Sequence, residues 1–588
     1  MNEYTPPLED IKFVIDGLHD YSAITELPPF QEYSKDIVDA VLEEGGRMLS
    51  QVLAPLNRAG DIEGLRLKES SVTMPKGFSE AYSQLVEGGW LSVGFPTELG
   101  GQGFPTAVAL GLTEMMQSAN LAFSMCPTLS VGAVHTLHKF AHEAISSVYV
   151  PKLVSGEWTA TMALTEPQAG SDLSLIKTKA VRKNDHYLLK GQKIFISFGD
   201  HDMAENIAHL VLARLDGAPE GVKGISLFVV PKYLPSPEGE YKVLNDVKVI
   251  SIEHKLGLHA SPTCTLNFGD EDGAVGYLVG EENKGLAYMF TMMNHARLQV
   301  GLQGVALTER AYQDALNYAK ERIQGNREGR AVAIAEHPDV QRMLRLMKSG
   351  KDAMRAMAYS VGVSMDLADH SEDESTRHLH QVRVDLLTPV VKGWSTELTQ
   401  ELVRLSVQIH GGLGFVEETG VAQYVRDAGI ITIYEGTTAI QAMDLLQRKL
   451  LRDEGTAYRT LVSDIEQSLN KCRDRGEEIT VLANRVTESL TCLKQAVDHV
   501  FSVADDGNRL EAIAYDFMML FGYVTGAWYL LQSALAAQKL TSDQQRPFCR
   551  TTLNTAKFYM SFLLPRSSAH LQAVLAGSAV GTLEVDQL

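Results

Sequence analysis

Cysteine is scarce in this chain: five, at Cys126, Cys264, Cys472, Cys492 and Cys549, with no Cys-x-x-Cys among them. That spacing argues against a zinc site and a disulfide framework, and it fits reduced thiols in a cytoplasmic protein. Basic charge is short as well. Lys and Arg number 53 against 73 Asp and Glu, a net charge of −20. So acidic a surface repels nucleic acid and anionic membrane, and neither is expected as a partner. The opening Met1-Asn2-Glu3-Tyr4-Thr5-Pro6-Pro7 lacks the basic start and apolar core of a signal or transit peptide. Repeats and low-complexity segments are missing too. No Gly-x-Gly-x-x-Gly follows a strand pattern, which excludes flavin or nicotinamide binding of the Rossmann kind. One long uncharged run exists, the 22 residues Phe517 to Gln538. It is long enough to span a bilayer. It nonetheless contains Gly522, Thr525, Gly526, Gln532 and Ser533 and has no flanking Lys or Arg cluster. A buried central helix of a bundle is the expected form.

What is present is an ordinary globular composition, 45% hydrophobic and 21% charged over 588 residues, which is several domains' worth of core. Three regimes of periodicity follow one another. Residues 1–160 read as an N-terminal helical domain, with Ile37-Val38, Val41-Leu42, Met48-Leu49 and Val52-Leu53 at helical spacing. Residues 161–282 read as an antiparallel β-domain. Ala208 to Ala213, Ile225 to Val230 and Thr263 to Phe268 are its strands, with turn residues and no helix between them. Residues 283–450 read as a helical bundle, with helices over Leu298 to Ile323, after Pro338, and over Asp385 to His410. Residues 451–588 read as an additional helical domain. The class is α+β. His378 and His380, at i and i+2 on different helix faces, do not make a metal pair, and no metal site is expected.

Within this frame several segments carry chemistry. Thr165-Glu166-Pro167-Gln168-Ala169-Gly170-Ser171-Asp172 opens the β region. Pro167 and Gly170 enforce a turn whose hydroxyls and N–H groups can meet an anionic or heteroaromatic edge. In Gly191-Gln192-Lys193-Ile194-Phe195-Ile196-Ser197 an aromatic and a hydroxyl sit two apart on a strand, on one face. Lys255-Leu256-Gly257-Leu258-His259-Ala260-Ser261-Pro262 closes a later strand, and Ala296-Arg297 sits on a helix. Gln408-Ile409-His410-Gly411-Gly412-Leu413-Gly414-Phe415 ends a helix in glycines that admit close backbone approach. Tyr434-Glu435-Gly436-Thr437 places a carboxylate between an apolar run and a helix start, where a Glu can be partly desolvated and act as a base.

These segments, in this order, resemble the acyl-CoA dehydrogenase flavoprotein family over about residues 35–450. The resemblance implies bound FAD and the α,β-dehydrogenation of an acyl-CoA thioester to a trans-2-enoyl-CoA. Glu435 is then the catalytic base. Some family members carry the base immediately before the helix arginine instead; here that position is Ala296, which cannot serve. By the same resemblance Leu164, Thr165 and Ser171 contact the flavin. Phe195 replaces the usual Trp beside its ring, and Ser197 replaces the Thr that bonds its N5. Thr437 touches FAD, although the family's Gln two residues on is Ala439 here. Gln408 and Gly412 contact the FAD of a neighbouring subunit. Arg322 approaches that FAD's pyrophosphate, although the usual Phe-Gly after it is Ile323-Gln324-Gly325-Asn326 here. Ser171, Arg297 and Tyr434 fall to the substrate. The implied electron acceptor is electron-transfer flavoprotein.

The helical extension after residue 450 resembles a longer bacterial branch, implying a homodimer and favouring a short thioether substrate, 3-(methylthio)propionyl-CoA, in dimethylsulfoniopropionate degradation. Medium- or long-chain fatty acyl-CoA dehydrogenation and an acyl-CoA oxidase remain open alternatives. A DNA-binding non-catalytic relative is opposed by the charge of −20. A membrane-attached long-chain enzyme would use residues 517–538.

Overall fold

The structure of the protein is a computed structural model describing residues 3–236, 239–473, 475–540, 542 and 545–580. By contacts the chain divides into two compact units, one of Met48–Phe104 and Ala119–Ala296, the other of Met1–Arg47, Pro105–Ser118 and Arg297–Leu588.

The main sheet of the first unit has eight strands: β1 (Trp158–Ala163), β2 (Lys179–Lys183), β3 (His186–Ser197), β4 (Asn206–Leu215), β5 (Ile225–Pro231), β6 (Val247–Ile252), β7 (Thr263–Phe268) and β8 (Ala274–Val279). They lie in the order β6-β7-β3-β8-β5-β4-β1, with β2 against both β3 and β4. Most pairs are antiparallel, as the turn-rich sequence predicts. Two are not: β1 and β2 each run parallel to β4. The reason is connectivity. Between β1 and β4 the chain passes through a long loop and the β2–β3 hairpin, enough length to bring β4 back in the same direction. β5, inside the sheet, and β1, at its end, are buried along their whole length, and β5 reads as a nearly continuous apolar run. Along the neighbouring β4, alternation sorts the side chains. Leu210 and Leu212 join Leu153 and Val154 from the helix Glu143–Ser155 on one face. Val211 and Ala213 join Phe228, Leu266 and Phe268 on the other.

The second unit is helical. Its main members are α1 (Gly285–Glu321, from Arg297 onward), α2 (Pro338–His370), α3 (Glu374–His410), α4 (Thr438–Met443), α5 (Thr456–Lys471), α6 (Glu477–Ser502), α7 (Gly507–Ala537), α8 (Arg546–Phe562) and α9 (Arg566–Val580). Local chemistry sets the bounds. Pro338 starts α2 at the position where its missing N–H costs nothing. Asp373 caps α3, accepting hydrogen bonds from the Ser375 and Thr376 N–H groups. α7 packs against α2, α3, α8 and α9, and from Phe517 to Leu531 every residue is buried. Gly522 is required there, since a Cβ would lie 2.1 Å from Trp394 Cγ. The uncharged run is thus the centre of a bundle. Among the described residues no helix is long and apolar enough to cross a membrane.

Candidate active site

In the first unit the loop after β1 is built around one buried carboxylate. Glu166 and Ala169 exchange backbone hydrogen bonds of 3.0 and 2.9 Å across Pro167-Gln168. The Glu166 side chain, 4% exposed, accepts from Thr178 Oγ1 at 2.6 Å, from the N–H groups of Lys177 and Thr178 at 2.6 and 3.0 Å, and from Lys193 Nζ at 2.8 Å. Burial pushes this carboxyl up, but the Lys193 ammonium and the hydrogen bonds outweigh it and hold the group at about 2. Lys193, wholly buried on β3, is lowered to about 8 by desolvation and stays charged at neutral pH. It also donates to the Leu164 carbonyl at 2.9 Å, while the Ile194 N–H donates to the Thr165 carbonyl at 2.9 Å. Leu164, Thr165 and the turn bearing Ser171 are thereby tied to the strand carrying Phe195 and Ser197.

That strand is bulged. Ile196 pairs with Cys264 and Lys193 with Leu266, so Ile194 and Phe195 face Thr265 alone. Phe195 takes up the mismatch at φ 59°, a left-handed conformation that is unusual for a bulky residue. The residue is 58% exposed. Ile196 then turns inward, and Ser197 is half-buried beyond it. A strained backbone that displays an apolar ring to solvent is costly twice over. A planar heterocycle laid on the ring offsets both costs. This arrangement fits the isoalloxazine of FAD.

The second unit holds the carboxylate. Between Ile431, wholly buried, and the first turn of α4 the chain makes a tight turn in which Glu435 and Gly436 have φ of 57° and 94°. Side chains brace it from several elements. Lys392 of α3 donates to the Gly436 carbonyl at 2.7 Å. Gln441 of α4 donates to the Glu435 and Gly436 carbonyls at 3.3 and 3.4 Å. Thr437 caps α4, and Thr438 donates to Glu397 at 2.5 Å and to the Thr432 carbonyl at 3.4 Å. The Tyr434 hydroxyl donates to Gln303 of α1. Arg297, 5% exposed on α1, pairs with Asp444 at 3.2 Å. Burial pushes the Glu435 carboxyl up to about 7, with Arg297 and Lys392 pulling the other way. A carboxylate so poised is half ionised near neutrality yet far more basic than one in water. That suits removal of a proton from carbon.

Tyr434, Glu435, Thr437 and Arg297 therefore share one cluster. Arg322, Gln408 and Gly412 stand apart from it, with no hydrogen bond among the described residues joining them to it. Arg322 is exposed at the foot of the hairpin Ile323–Arg327/Arg330–Ala333 that follows α1. Gln408 is exposed in the last turn of α3. A Cβ on Gly412 would meet nothing within 4 Å among the described residues, whereas one on Gly414 would strike the Val407 carbonyl. Four bracing residues had no role from the sequence: Glu166, Lys193, Lys392 and Gln441. Lys392 carries a readable signal, as the one charge in the run Leu386 to Ser395. A lone lysine in a buried helix face marks a functional or paired position.

Comparison with known proteins agrees with this chemistry. Family models for the N-terminal, middle and C-terminal domains of acyl-CoA dehydrogenases match residues 59–157, 161–270 and 283–450, and an acetyl-CoA dehydrogenase C-terminal-like model matches 461–582. The chain is 45% identical to a 3-methylmercaptopropionyl-CoA dehydrogenase of Ruegeria pomeroyi, covering 96% of this chain and 97% of the relative. It is 36% identical to a broad-specificity linear acyl-CoA dehydrogenase of Mycobacterium tuberculosis, covering 85% of each. In fold it is similar to the Caenorhabditis elegans ACDH-11 structure solved with C11-CoA, at a TM-score of 0.78 and 20% identity over 99% of this chain and 97% of that one. The chain belongs to the acyl-CoA dehydrogenase family and is an FAD-dependent oxidoreductase of acyl-CoA thioesters.

Proposed function

We propose that the protein oxidises 3-(methylthio)propionyl-CoA to 3-(methylthio)acryloyl-CoA, with Glu435 as its base. The observation that carries the chemistry is Glu435 itself, a half-buried carboxylate in a left-handed turn beside two buried cations, Arg297 and Lys392. The thioether substrate is supported by the 45% identity to the Ruegeria pomeroyi relative over nearly the whole length of both chains. Glu435 takes the α-proton, and its own backbone N–H faces the thioester carbonyl, opposing the cost of enolate charge. Arg297 and Lys392 keep the carboxylate accessible in its ionised form. FAD, when bound, supplies the acceptor for the β-hydride. Leu164, Thr165, Ser171, Phe195, Ser197 and Thr437 hold that group, and Ser171, Arg297 and Tyr434 orient the acyl-CoA. The four-part reading, with boundaries near 160, 282 and 450, accompanies this assignment.

Gln408 and Gly412 serve the FAD of a second copy, and Arg322 approaches its pyrophosphate, in a cytoplasmic homodimer that passes electrons to electron-transfer flavoprotein. Support for the dimer comes from the loop after α3. Phe415 is 88% exposed there and Leu413 50%, beside Gly412, whose open side no described residue fills within 4 Å.

Anaerobic titration of the yellow protein with 3-(methylthio)propionyl-CoA, butyryl-CoA and a C12 acyl-CoA tests the substrate. Prompt bleaching by the thioether at the lowest concentration is expected. Bleaching confined to the straight chains would overturn the substrate and assign a fatty acyl-CoA dehydrogenase instead. Rapid oxygen uptake during aerobic turnover would replace the flavoprotein acceptor with an oxidase reaction.

A further inference from the structure

Lys392 is among the most buried charges of the bundle: its residue exposure is 0%. It sits in the middle of α3 between Val391 and Gly393, in a stretch from Leu386 to Thr396 that is buried throughout. An ammonium brought into such a place forfeits its hydration and is retained only where something repays that cost. Its hydrogen bond goes to a backbone carbonyl, Gly436 O at 2.7 Å, rather than to a carboxylate. The carboxylates it senses, Glu435 and Glu397, are not bonded to it; Glu397 is engaged by Thr438. Lys193, by contrast, has an acidic partner in direct contact, Glu166 at 2.8 Å. Lys392 instead grips the peptide directly after the base.

The grip matters because of the backbone it secures. Glu435 at φ 57° is in a conformation that a glutamate does not choose unaided. With Lys392 and Gln441 both on the carbonyls of Glu435 and Gly436, the left-handed pair is clasped from two helices. We propose that Lys392 is the positioning residue of the catalytic turn: its ammonium clasps the Gly436 carbonyl so that Glu435 is presented in its left-handed conformation, and its charge faces the Glu435 carboxylate. This rests on the reading of Glu435 as the base.

The charges facing Glu435 come from three elements. Arg297 on α1 is shared with Asp444, which follows α4. Lys392 on α3 is not shared in this way, and Tyr434 is the neutral chain neighbour, its phenol raised by burial. Arg448 lies beyond, 3.8 Å from Asp444. Removing Lys392 leaves the carboxylate with one diluted cation, so its ionisation must move to higher pH.

The test is the pH profile of the single-turnover reductive half-reaction in holoenzyme carrying Lys392→Arg, Lys392→Gln or Lys392→Met, with Glu435→Gln as reference. Lys392→Arg keeps the charge and a donor, and its midpoint is expected to stay with the parent. Lys392→Gln keeps a donor alone, and its midpoint is expected to rise by about one pH unit, a roughly fivefold slower step at pH 7. Lys392→Met loses both, and the limiting rate at high pH is expected to fall as well. The pH dependence of the unfolding temperature is a second readout, independent of turnover, and its Glu435 limb is expected to move with the midpoint. If Lys392→Met does not fold, the comparison of Gln with Arg decides. Parent-like midpoints in both neutral variants, or in Lys392→Gln alone where Met is lost, would overturn the proposal. A Glu435→Gln enzyme that still bleaches would instead sink the base reading, so the two failures are distinct.

Discussion

Glu435 binds its proton more tightly in the folded protein than in the unfolded chain, and that difference has a thermodynamic signature. Its carboxyl is pushed from 4.5 to about 7, chiefly by burial. Between those values the folded state holds a proton that the unfolded state has released, so stability falls as pH rises through the window. The penalty is fully present above pH 7 and absent below pH 4.5. Glu435→Gln removes it. The variant is expected to be more stable than the parent above pH 7, by about 3 kcal/mol, read as a higher unfolding temperature, with the two curves meeting in acid. Its half-reaction is expected to slow by about 10³-fold or more while the protein stays yellow. Equal melting temperatures at pH 8 would show that Glu435 is not held in the way described. At this scale the sequence was legible where residue type and order suffice. Tyr434-Glu435-Gly436-Thr437 points to the proposed base, and Ala296 cannot fill the alternative position. It was not legible where backbone conformation decides. Nothing in Lys193-Ile194-Phe195 announces that the phenylalanine is left-handed and bared, and Glu166 looks like a turn carboxylate until its five hydrogen bonds are seen.

Elements show a similar division. Pro338 and the glycines after His410 mark the start of one helix and the end of another, whereas the latter helix starts at Glu374, capped by Asp373, well before the expected Asp385. The parallel pairing of β1 with β4 is not, because register between strands far apart in sequence is settled by which faces the covering helices bury. The uncharged run in α7 had two readings by length alone, and packing chooses between them. Its glycines are the reason it can be central. In Gly522→Ala the new methyl would overlap the Trp394 indole, so Trp394 or α7 must shift. The substitution is expected to destabilise by about 1–3 kcal/mol, read as a lower denaturant midpoint at unchanged slope. A neutral result would mean that α7 and α3 do not approach as closely as described.

At the scale of the whole molecule the surface charge of −20 keeps copies apart except where an apolar face draws them together. Phe415, at 88% exposure, is the most conspicuous such point. On the proposed dimer, Phe415→Asp is expected to give a monomer by light scattering after gel filtration and to lose FAD during the run, because the proposed contacts of Gln408 and Gly412 to a second copy's FAD are then lost. A dimer that keeps its flavin would refute that role for the loop.

The close fit of Gly522 against Trp394 has a consequence for biosynthesis. Trp394 leaves the ribosome roughly 130 residues ahead of the helix that covers it, a delay on the order of ten seconds at ordinary translation rates. During that interval the bundle lacks its central member and shows an apolar face to the cell. Nascent chains stalled before residue 507 should therefore be bound by chaperones and cut readily by protease, and chains stalled past residue 580 should not. The helix that makes the finished bundle compact is the one that arrives nearly last, and the burden of waiting for it falls on the machinery of synthesis.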